Sequence, residues 1–277
     1  MTGRFYKMTG SGNDFVFLAD RNARVEEWPA ERIRELCDRR TGVGGDGLVI
    51  LSSEGERGAR MVYFNADGSR AGMCGNAALC STRLAARLGF APETGMLLHT
   101  DSGTLKTRCV GPGWAAELLL PDFCLPTPVE LPLATGERWM ELGTVGVPHL
   151  IVLVDDVAGL DVAGRGRALR NDPAFAPAGL NVNFVGPTSP GSDPAWLVRT
   201  YERGVEAETL ACGTGTVATA FALARRGLDR LPLRVRSWGG NVFSVAGRLE
   251  PGDGAGWARE PWLCGEGRLV FAGELAG

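Results

Sequence analysis

Lysine and histidine are scarce in this 277-residue chain, which contains only Lys7, Lys106, His99 and His149. Pyridoxal phosphate enzymes bind their cofactor through a lysine, and neither lysine here lies in a recognisable motif. No C-x-x-C pair occurs among the seven cysteines, which argues against a zinc site or a thioredoxin-type centre. The G-x-x-x-x-G-K phosphate loop is also absent. We therefore expect an enzyme with no metal and no cofactor.

Long apolar runs and an excess of basic charge are missing as well. The longest aliphatic run, at 150–154, is far too short to span a bilayer. A net charge of −3 makes nucleic acid an unfavourable partner. The first residues lack the apolar core of a secretory signal. We therefore expect a cytoplasmic protein that acts on a small molecule, with no nucleic-acid or membrane partner.

A short pattern around two of the cysteines occurs twice, as MCGN at Cys74 and as ACGT at Cys212. Each is followed by a stretch rich in small residues that ends at a glycine 15 positions later (89 − 74 and 227 − 212). The two cysteines lie 138 positions apart (212 − 74), almost half of the chain. The repeat indicates a duplicated fold that points two thiols at a shared cleft.

Apolar periodicity predicts few helices, at 30–39 and after Cys74 and Cys212. Most of the remaining chain consists of short strand-like segments separated by glycine and proline. We predict an α+β fold of two domains, each a curved, mostly antiparallel sheet or barrel around a central helix. The expected boundary places 1–126 in the N-terminal domain and 127–264 in the C-terminal domain. The tail, at about 265–277, is expected to return to the N-terminal domain as a strand.

Both repeated cysteines are predicted to lie at a helix N-terminus. The unpaired N–H groups and partial positive charge of a first turn stabilise a thiolate, so these thiols are expected to titrate below about 8.5. Gly75, Gly213 and Gly215 would let backbone N–H groups approach a substrate carboxylate and stabilise charge as an α-proton leaves. Two buried structural cysteines, or a redox-active pair, are the alternatives.

Four blocks of the sequence resemble the diaminopimelate epimerase family. They are GSGNDF at 10–15, NADGSRAGMCGNAALC at 65–80, NVNFV at 181–185 and YERGVEAETLACGTG at 201–215. The resemblance covers essentially the whole chain. It implies two pseudo-symmetric domains, an active site in the cleft between them, and a homodimer. It also implies cofactor-independent epimerisation of LL-2,6-diaminopimelate to the meso form, in lysine and peptidoglycan biosynthesis.

The resemblance assigns roles residue by residue. Cys74 and Cys212 would act as base and acid on opposite faces of the α-carbon, and it does not follow which of them serves the L-centre. The residues that tune the thiols would be His149 and Glu202. The main-chain cradles for the reacting carboxylate would be Gly75, Asn76, Gly213 and Thr214. The other substrate contacts would be Asn13, Asn65, Asn181, Glu202 and Arg203.

Three positions depart from the family pattern. Val147 stands where the family often has Asn, Gly47 where some members carry Gln, and Ala77 where Gly is usual. A valine side chain cannot hydrogen-bond the far end of the substrate, so the same two-thiol mechanism on another amino acid is the alternative. A relative of the same fold without the thiol pair is a third possibility, and the presence of both cysteines argues against it.

We expect Cys74→Ser and Cys212→Ser each to lower epimerase activity by about 100-fold or more, because each thiol serves one face of the carbon. Circular dichroism should show that the fold is retained. Turnover near the wild-type rate in either variant would remove that cysteine from the mechanism.

Overall fold

The computed structural model describes residues 3–21 and 28–275, and the chain divides into two compact units. Unit 1 consists of Met1–Leu119 and Cys264–Gly277, and unit 2 of Leu120–Leu263. Both units combine sheet and helix, so the predicted α+β class is confirmed. The helices are α1 (Ala30–Cys37), α2 (Gly75–Arg87), α3 (Val162–Arg170) and α4 (Gly213–Arg225), with a 3₁₀ turn at Pro173–Phe175. In the described ranges, no helix is long and apolar enough to cross a membrane.

The strands are numbered along the chain. Those of unit 1 are β1 (Arg4–Gly10), β2 (Asn13–Ala19), β3 (Gly47–Ser53), β4 (Gly58–Asn65), β5 (Arg70–Ala71), β6 (Met96–Thr100), β7 (Gly103–Val110) and β8 (Ala115–Leu119). Those of unit 2 are β9 (Phe123–Cys124), β10 (Thr127–Pro128), β11 (Glu137–Val145), β12 (Val147–Val154), β13 (Asn181–Pro187), β14 (Trp196–Glu202), β15 (Ala207–Thr209), β16 (Leu233–Ser237) and β17 (Val242–Glu250). The chain continues through β18 (Trp257–Glu266), which contains the unit boundary, to β19 (Arg268–Glu274) of unit 1.

The strand pairing of unit 1 is repeated in unit 2. In unit 1, β1 pairs antiparallel with β2, β2 parallel with β3, β3 antiparallel with β4, and β4 parallel with β6. The series β11, β12, β13, β14 and β16 has the same sequence of directions. Parallel neighbours need a crossover, and α1 and α3 lie in the first crossover of each unit while α2 and α4 lie in the second. The duplication seen around the cysteines therefore extends to the topology.

The main helices α2 and α4 are buried on most of their surface. The buried stretch of α2 runs from Asn76 to Ala85, and that of α4 from Gly215 to Leu223. Small residues let the neighbouring strands approach closely. A Cβ on Gly10, at the end of β1, would lie only 2.6 Å from the Asn76 carbonyl oxygen and 2.8 Å from Cys80 Sγ. Gly10 therefore positions β1 against the first turns of α2.

We predict that Gly10→Ala destabilises the protein by about 1–3 kcal/mol, the usual cost of overpacking, because backbone atoms of α2 lie in the way of the new methyl group. Urea denaturation should show the loss as a lower midpoint. Gly113→Ala is the matched control, since a Cβ there meets no atom within 4 Å. Equal midpoints for the two variants would show that the contact of Gly10 with α2 does not constrain the fold.

Candidate active site

Cys74 and Cys212 occupy equivalent positions at the start of the two main helices. Cys74 is the N-cap of α2 (φ −134°, ψ 122°) and Cys212 the N-cap of α4 (φ −130°, ψ 106°). Each carbonyl accepts the first helical hydrogen bond at 2.9 Å, from Ala78 and Thr216 respectively. The prediction that both cysteines lie at helix starts is confirmed. The N–H groups of a first turn, which have no partner within the helix, therefore follow each thiol.

In unit 1, the amide of Asn13 joins the start of α2 to the glycine-rich loop at 42–46, which contains Asp46. Asn76 Nδ2 donates to Asn13 Oδ1 at 2.7 Å, and Asn13 Nδ2 donates to Asp46 Oδ2 at 2.9 Å. The backbone N–H of Asp14 donates to the same Asp46 oxygen at 3.2 Å. The structure thus brings together two of the predicted substrate contacts, Asn13 and Asn76, and fixes which way the Asn13 amide faces.

A group of charges next to this amide was not identified from the sequence. Asp14 accepts hydrogen bonds from Lys7 at 2.6 Å and from Arg39 at 2.6 and 2.9 Å. Arg39 also donates to Asp46 at 2.8 Å. Burial alone would raise the pKa of Asp14, but the hydrogen bonds from Arg39 and Lys7 outweigh it and lower the pKa to about 2. An ionised Asp14 therefore helps to hold the loop that carries Asp46.

Asn65, at the end of β4, makes contacts of its own. Its Nδ2 donates to Ser69 Oγ at 3.0 Å, and its backbone N–H donates to the Ser69 carbonyl at 2.9 Å. Its own carbonyl accepts from the N–H of Gly68 at 2.9 Å. In the contacts that the structure describes, Asn65 is held in this turn rather than by Asn13 or Asn76.

The departures from the family pattern have different structural settings. A Cβ on Gly47 would lie 2.6 Å from Cε2 of Tyr63, so the Tyr63 ring occupies the space that a longer side chain would need. Ala77 is fully buried in the core of unit 1, so its methyl group packs inside the unit. Val147 is the half-buried first residue of β12.

In unit 2, a chain of polar contacts links the Cys212 sulfur to a buried histidine. Thr214 Oγ1 lies 3.8 Å from Cys212 Sγ, and His149 Nε2 lies 3.1 Å from Thr214 Oγ1. Burial lowers the pKa of His149 to about 4, and the positive charge of Arg203 acts in the same direction. A hydrogen bond with the Val145 backbone opposes these effects without cancelling them. The His149 ring is therefore neutral at pH 7.

Glu202 is a second ionisable group that acts on the Cys212 thiol. Burial raises the pKa of Glu202, although Thr209 Oγ1 donates to its carboxylate at 2.9 Å and opposes the rise. Burial likewise raises the pKa of Cys212 to about 11, and the Glu202 carboxylate adds to that rise. Hydrogen bonds from the backbones of Gly215 and Thr214 lower the pKa but do not compensate. The helix start does act to lower the pKa, but the expectation that this thiol titrates below about 8.5 is wrong for Cys212.

Asn181 and Arg203 contact each other at the ends of β13 and β14. The backbone N–H of Arg203 donates to Asn181 Oδ1 at 2.8 Å, and Arg203 Nη1 donates to the Gly179 carbonyl at 3.3 Å. In the contacts described, the guanidinium of Arg203 therefore uses one of its five donors, and a planar fork of this kind suits a carboxylate ligand. Gly75 and Gly213, the remaining predicted cradle residues, are the first residues of α2 and α4.

Comparison with known sequences identifies the family. The family model for diaminopimelate epimerase matches residues 5–116 and 142–245. The diaminopimelate epimerase of Gemmatimonas aurantiaca is 44% identical over 280 residues, which cover 99% of each chain. The chain belongs to the diaminopimelate epimerase family. The diaminopimelate epimerase of Aquifex aeolicus is also similar, at 36% identity over 98% of this chain and 97% of its own.

Membership of the diaminopimelate epimerase family makes the chain an isomerase of the epimerase type. Solved structures with low sequence identity share its fold. A PhzF-family phenazine biosynthesis protein of Bacillus anthracis aligns over 100% of both chains with a TM-score of 0.73 and 13% identity. A probable proline racemase of Agrobacterium radiobacter aligns over 99% of this chain and 92% of its own, with a TM-score of 0.63 and 18% identity.

We predict that Glu202→Gln lowers the pKa of the Cys212 thiol from about 11, because it removes a negative charge that disfavours the thiolate. The pKa should stay above that of a free thiol, because burial is the larger cause and is unchanged. The measurement is the ultraviolet absorbance of thiolate against pH, taken as the difference from the same protein carrying Cys212→Ser.

Glu130→Gln provides the control for this titration, since it removes one carboxylate at an exposed position of unit 2. The Cys212 titration should be unaffected by it. A Cys212 titration that is the same in the Glu202→Gln variant and the wild type would show that Glu202 has no influence on this thiol.

Proposed function

We propose that this protein epimerises LL-2,6-diaminopimelate to meso-diaminopimelate by two-base proton transfer between Cys74 and Cys212, without a cofactor. The observation that carries the proposal is the presence of a cysteine at the N-cap of the equivalent helix in both units. Family membership supports the substrate, because the relatives matched over nearly their whole length are diaminopimelate epimerases.

The proposed step is balanced by the two thiols. One cysteine, as thiolate, takes the α-proton, so that its S–H bond forms as the C–H bond breaks and the electron pair passes into the carboxylate. The other cysteine, as thiol, delivers its proton to the opposite face of the carbon. The backbone N–H groups of Gly75, Asn76, Gly213 and Thr214 stabilise the charge that develops on the carboxylate.

The electrostatics of unit 2 support a protonated starting state for one partner. With a pKa of about 11, Cys212 is a thiol at neutral pH, ready to donate. Once it has donated, the N–H group of Gly215 and the neighbouring Thr214 hydroxyl stabilise the thiolate that remains, and the Thr214 N–H serves the carboxylate. The neutral His149 ring and the Glu202 carboxylate adjust this balance.

Substrate selection is proposed to depend on Asn13, Asn65, Asn181, Glu202 and Arg203. Among these, the Arg203 guanidinium is suited to a carboxylate. Val147 favours the second candidate function, racemisation of another amino acid, because its side chain offers no hydrogen bond. We further infer a cytoplasmic homodimer that acts in lysine and peptidoglycan biosynthesis, as the family resemblance implies.

Proton NMR in D₂O tests the function directly. Reduced protein is mixed with LL-diaminopimelate and, in parallel, with other L-amino acids. We expect the α-proton signal to disappear and the meso isomer to form with diaminopimelate alone, because the thiols exchange their protons with deuterium from the solvent. Exchange only with another amino acid would keep the two-thiol mechanism and change the substrate. No exchange with any of them would contradict the proposed function.

A further inference from the structure

Asn183 is a buried polar side chain in the middle of β13. It is 0% exposed, and its neighbours Val182 and Phe184 are also 0% exposed. A polar group in such a place is retained only when its hydrogen bonds are satisfied. The family resemblance includes the NVNFV block but gives no role to this second asparagine.

The Asn183 amide uses both of its hydrogens and its oxygen. Nδ2 donates to His149 Nδ1 at 3.2 Å and to the Leu150 carbonyl at 3.3 Å. Oδ1 accepts from Thr200 Oγ1 at 2.9 Å. The oxygen also lies where a Cβ on Gly215 would be, so the absence of a side chain at 215 lets the first turn of α4 approach this amide. These contacts fix the direction in which the amide faces.

This direction determines the tautomer of His149. An amide NH₂ can only donate, so His149 Nδ1 must accept. The buried ring is neutral and carries a single proton, which the Asn183 amide places on Nε2, facing Thr214 Oγ1 at 3.1 Å, against the competing Val145 carbonyl, the other acceptor for the ring. The Thr214 oxygen accepts that bond and keeps its own hydroxyl hydrogen, which donates to Cys212 Sγ at 3.8 Å when the sulfur is a thiolate. The series of hydrogen bonds that starts at Asn183 therefore ends with the Thr214 hydroxyl as donor to the Cys212 sulfur.

The other unit shows that the fold does not require these polar residues. His149 pairs with Asn181 as Phe15 pairs with Gly47, and Asn183 pairs with Thr200 as Val49 pairs with Tyr63. The three positions are therefore Phe15, Val49 and Tyr63 in unit 1 and His149, Asn183 and Thr200 in unit 2. In unit 1, the rings of Phe15 and Tyr63 pack edge to face at 6.0 Å. The equivalent positions of unit 1 therefore hold aromatic and aliphatic side chains without loss of the fold.

We propose that Asn183 is a positioning residue, which holds His149 in the Nε2–H tautomer so that the Thr214 hydroxyl donates to Cys212. The proposal deepens the proposed function and rests on it for the role of Cys212 in proton transfer. The assignment of the tautomer does not depend on the substrate.

Nitrogen-15 NMR of the histidine rings tests the tautomer in the intact protein. The chain has only His99 and His149, and His99→Gln assigns the two sets of signals. We expect a protonated Nε2 and an unprotonated Nδ1 for His149 in the wild type. In Asn183→Asp we expect a protonated Nδ1, because a carboxylate only accepts. A protonated Nδ1 in the wild-type protein would overturn the proposal, whether or not any variant folds.

Kinetics then test the consequence for the reaction. Asn183→Val copies the residue at the equivalent position of unit 1, and both it and Asn183→Asp are expected to lower kcat by about 10- to 100-fold with little change in KM. The pKa of Cys212, measured by thiolate absorbance, should rise in both variants, because Thr214 no longer donates consistently. Folded variants with wild-type kcat, or with lower kcat but unchanged His149 signals and Cys212 titration, would overturn the proposal.

Thr104→Val is the matched control, because Thr104 Oγ1 contacts the other histidine, His99 Nδ1, at 2.9 Å. It should move the His99 signals and leave the His149 signals and kcat unchanged. Failure of the proposed function is recognised separately, by the absence of exchange in the wild type with every amino acid. In that case the tautomer measurement still decides whether Asn183 orients His149.

Discussion

The N–H groups in the first turn of α2 and α4, which have no partner within the helix, are the constraint on which the rest of the molecule depends. Serine, threonine, aspartate and asparagine are the residues that satisfy such groups best, at a gain of about 1 kcal/mol over a poor cap. Both main helices instead begin after a cysteine, and glycine follows it. These helix ends keep donors for an anion at some cost in stability. The burial of both helices among their strands provides the compensating stability.

The two copies of the fold share strand directions and helix positions but place different polar groups near their helix starts. Unit 1 places an ionic group, with Lys7, Asp14, Arg39 and Asp46, beside the Asn13 amide. Unit 2 places a neutral imidazole and a hydroxyl beside its thiol. The proposed two-base reaction needs one thiol that starts with its proton and one that starts without. The duplication supplies matching positions for the two cysteines, and the polar side chains near the two helix starts differ.

Local sequence was sufficient to predict α2, α4 and the position of both cysteines. Each signal is a glycine beside a cysteine followed by an apolar, small-residue run, which depends on neighbouring residues alone. α3 was not predicted, because Gly164 and Gly166 interrupt its pattern. Asp161 is the N-cap of this helix, and its side chain accepts from the Gly164 N–H. Gly166 then lets it pack on Tyr201, a contact that only the folded chain shows.

The repeat indicates α3 indirectly. The parallel pair β12–β13 needs a crossover connection, as the parallel pair β2–β3 does, and α1 lies in that equivalent crossover. The acidity of Cys212 could not be predicted from the repeat in this way. It depends on burial and on the charge of Glu202, at the end of β14, and neither follows from the residues beside the cysteine. The Asp14 ion pairs likewise join β1, β2 and the loop after α1.

Unit 1 is assembled from both ends of the chain, since β1 pairs with β19 and Arg4 lies opposite Glu274. Unit 2 is continuous from Leu120 to Leu263. On the ribosome, every strand between those residues has therefore been synthesised before β19 exists. Unit 2, which is encoded later, is therefore the first unit to have all its strands synthesised. One edge of β1 stays unpaired until β19 is made. In this protein the order of synthesis and the order of structural completion run in opposite directions.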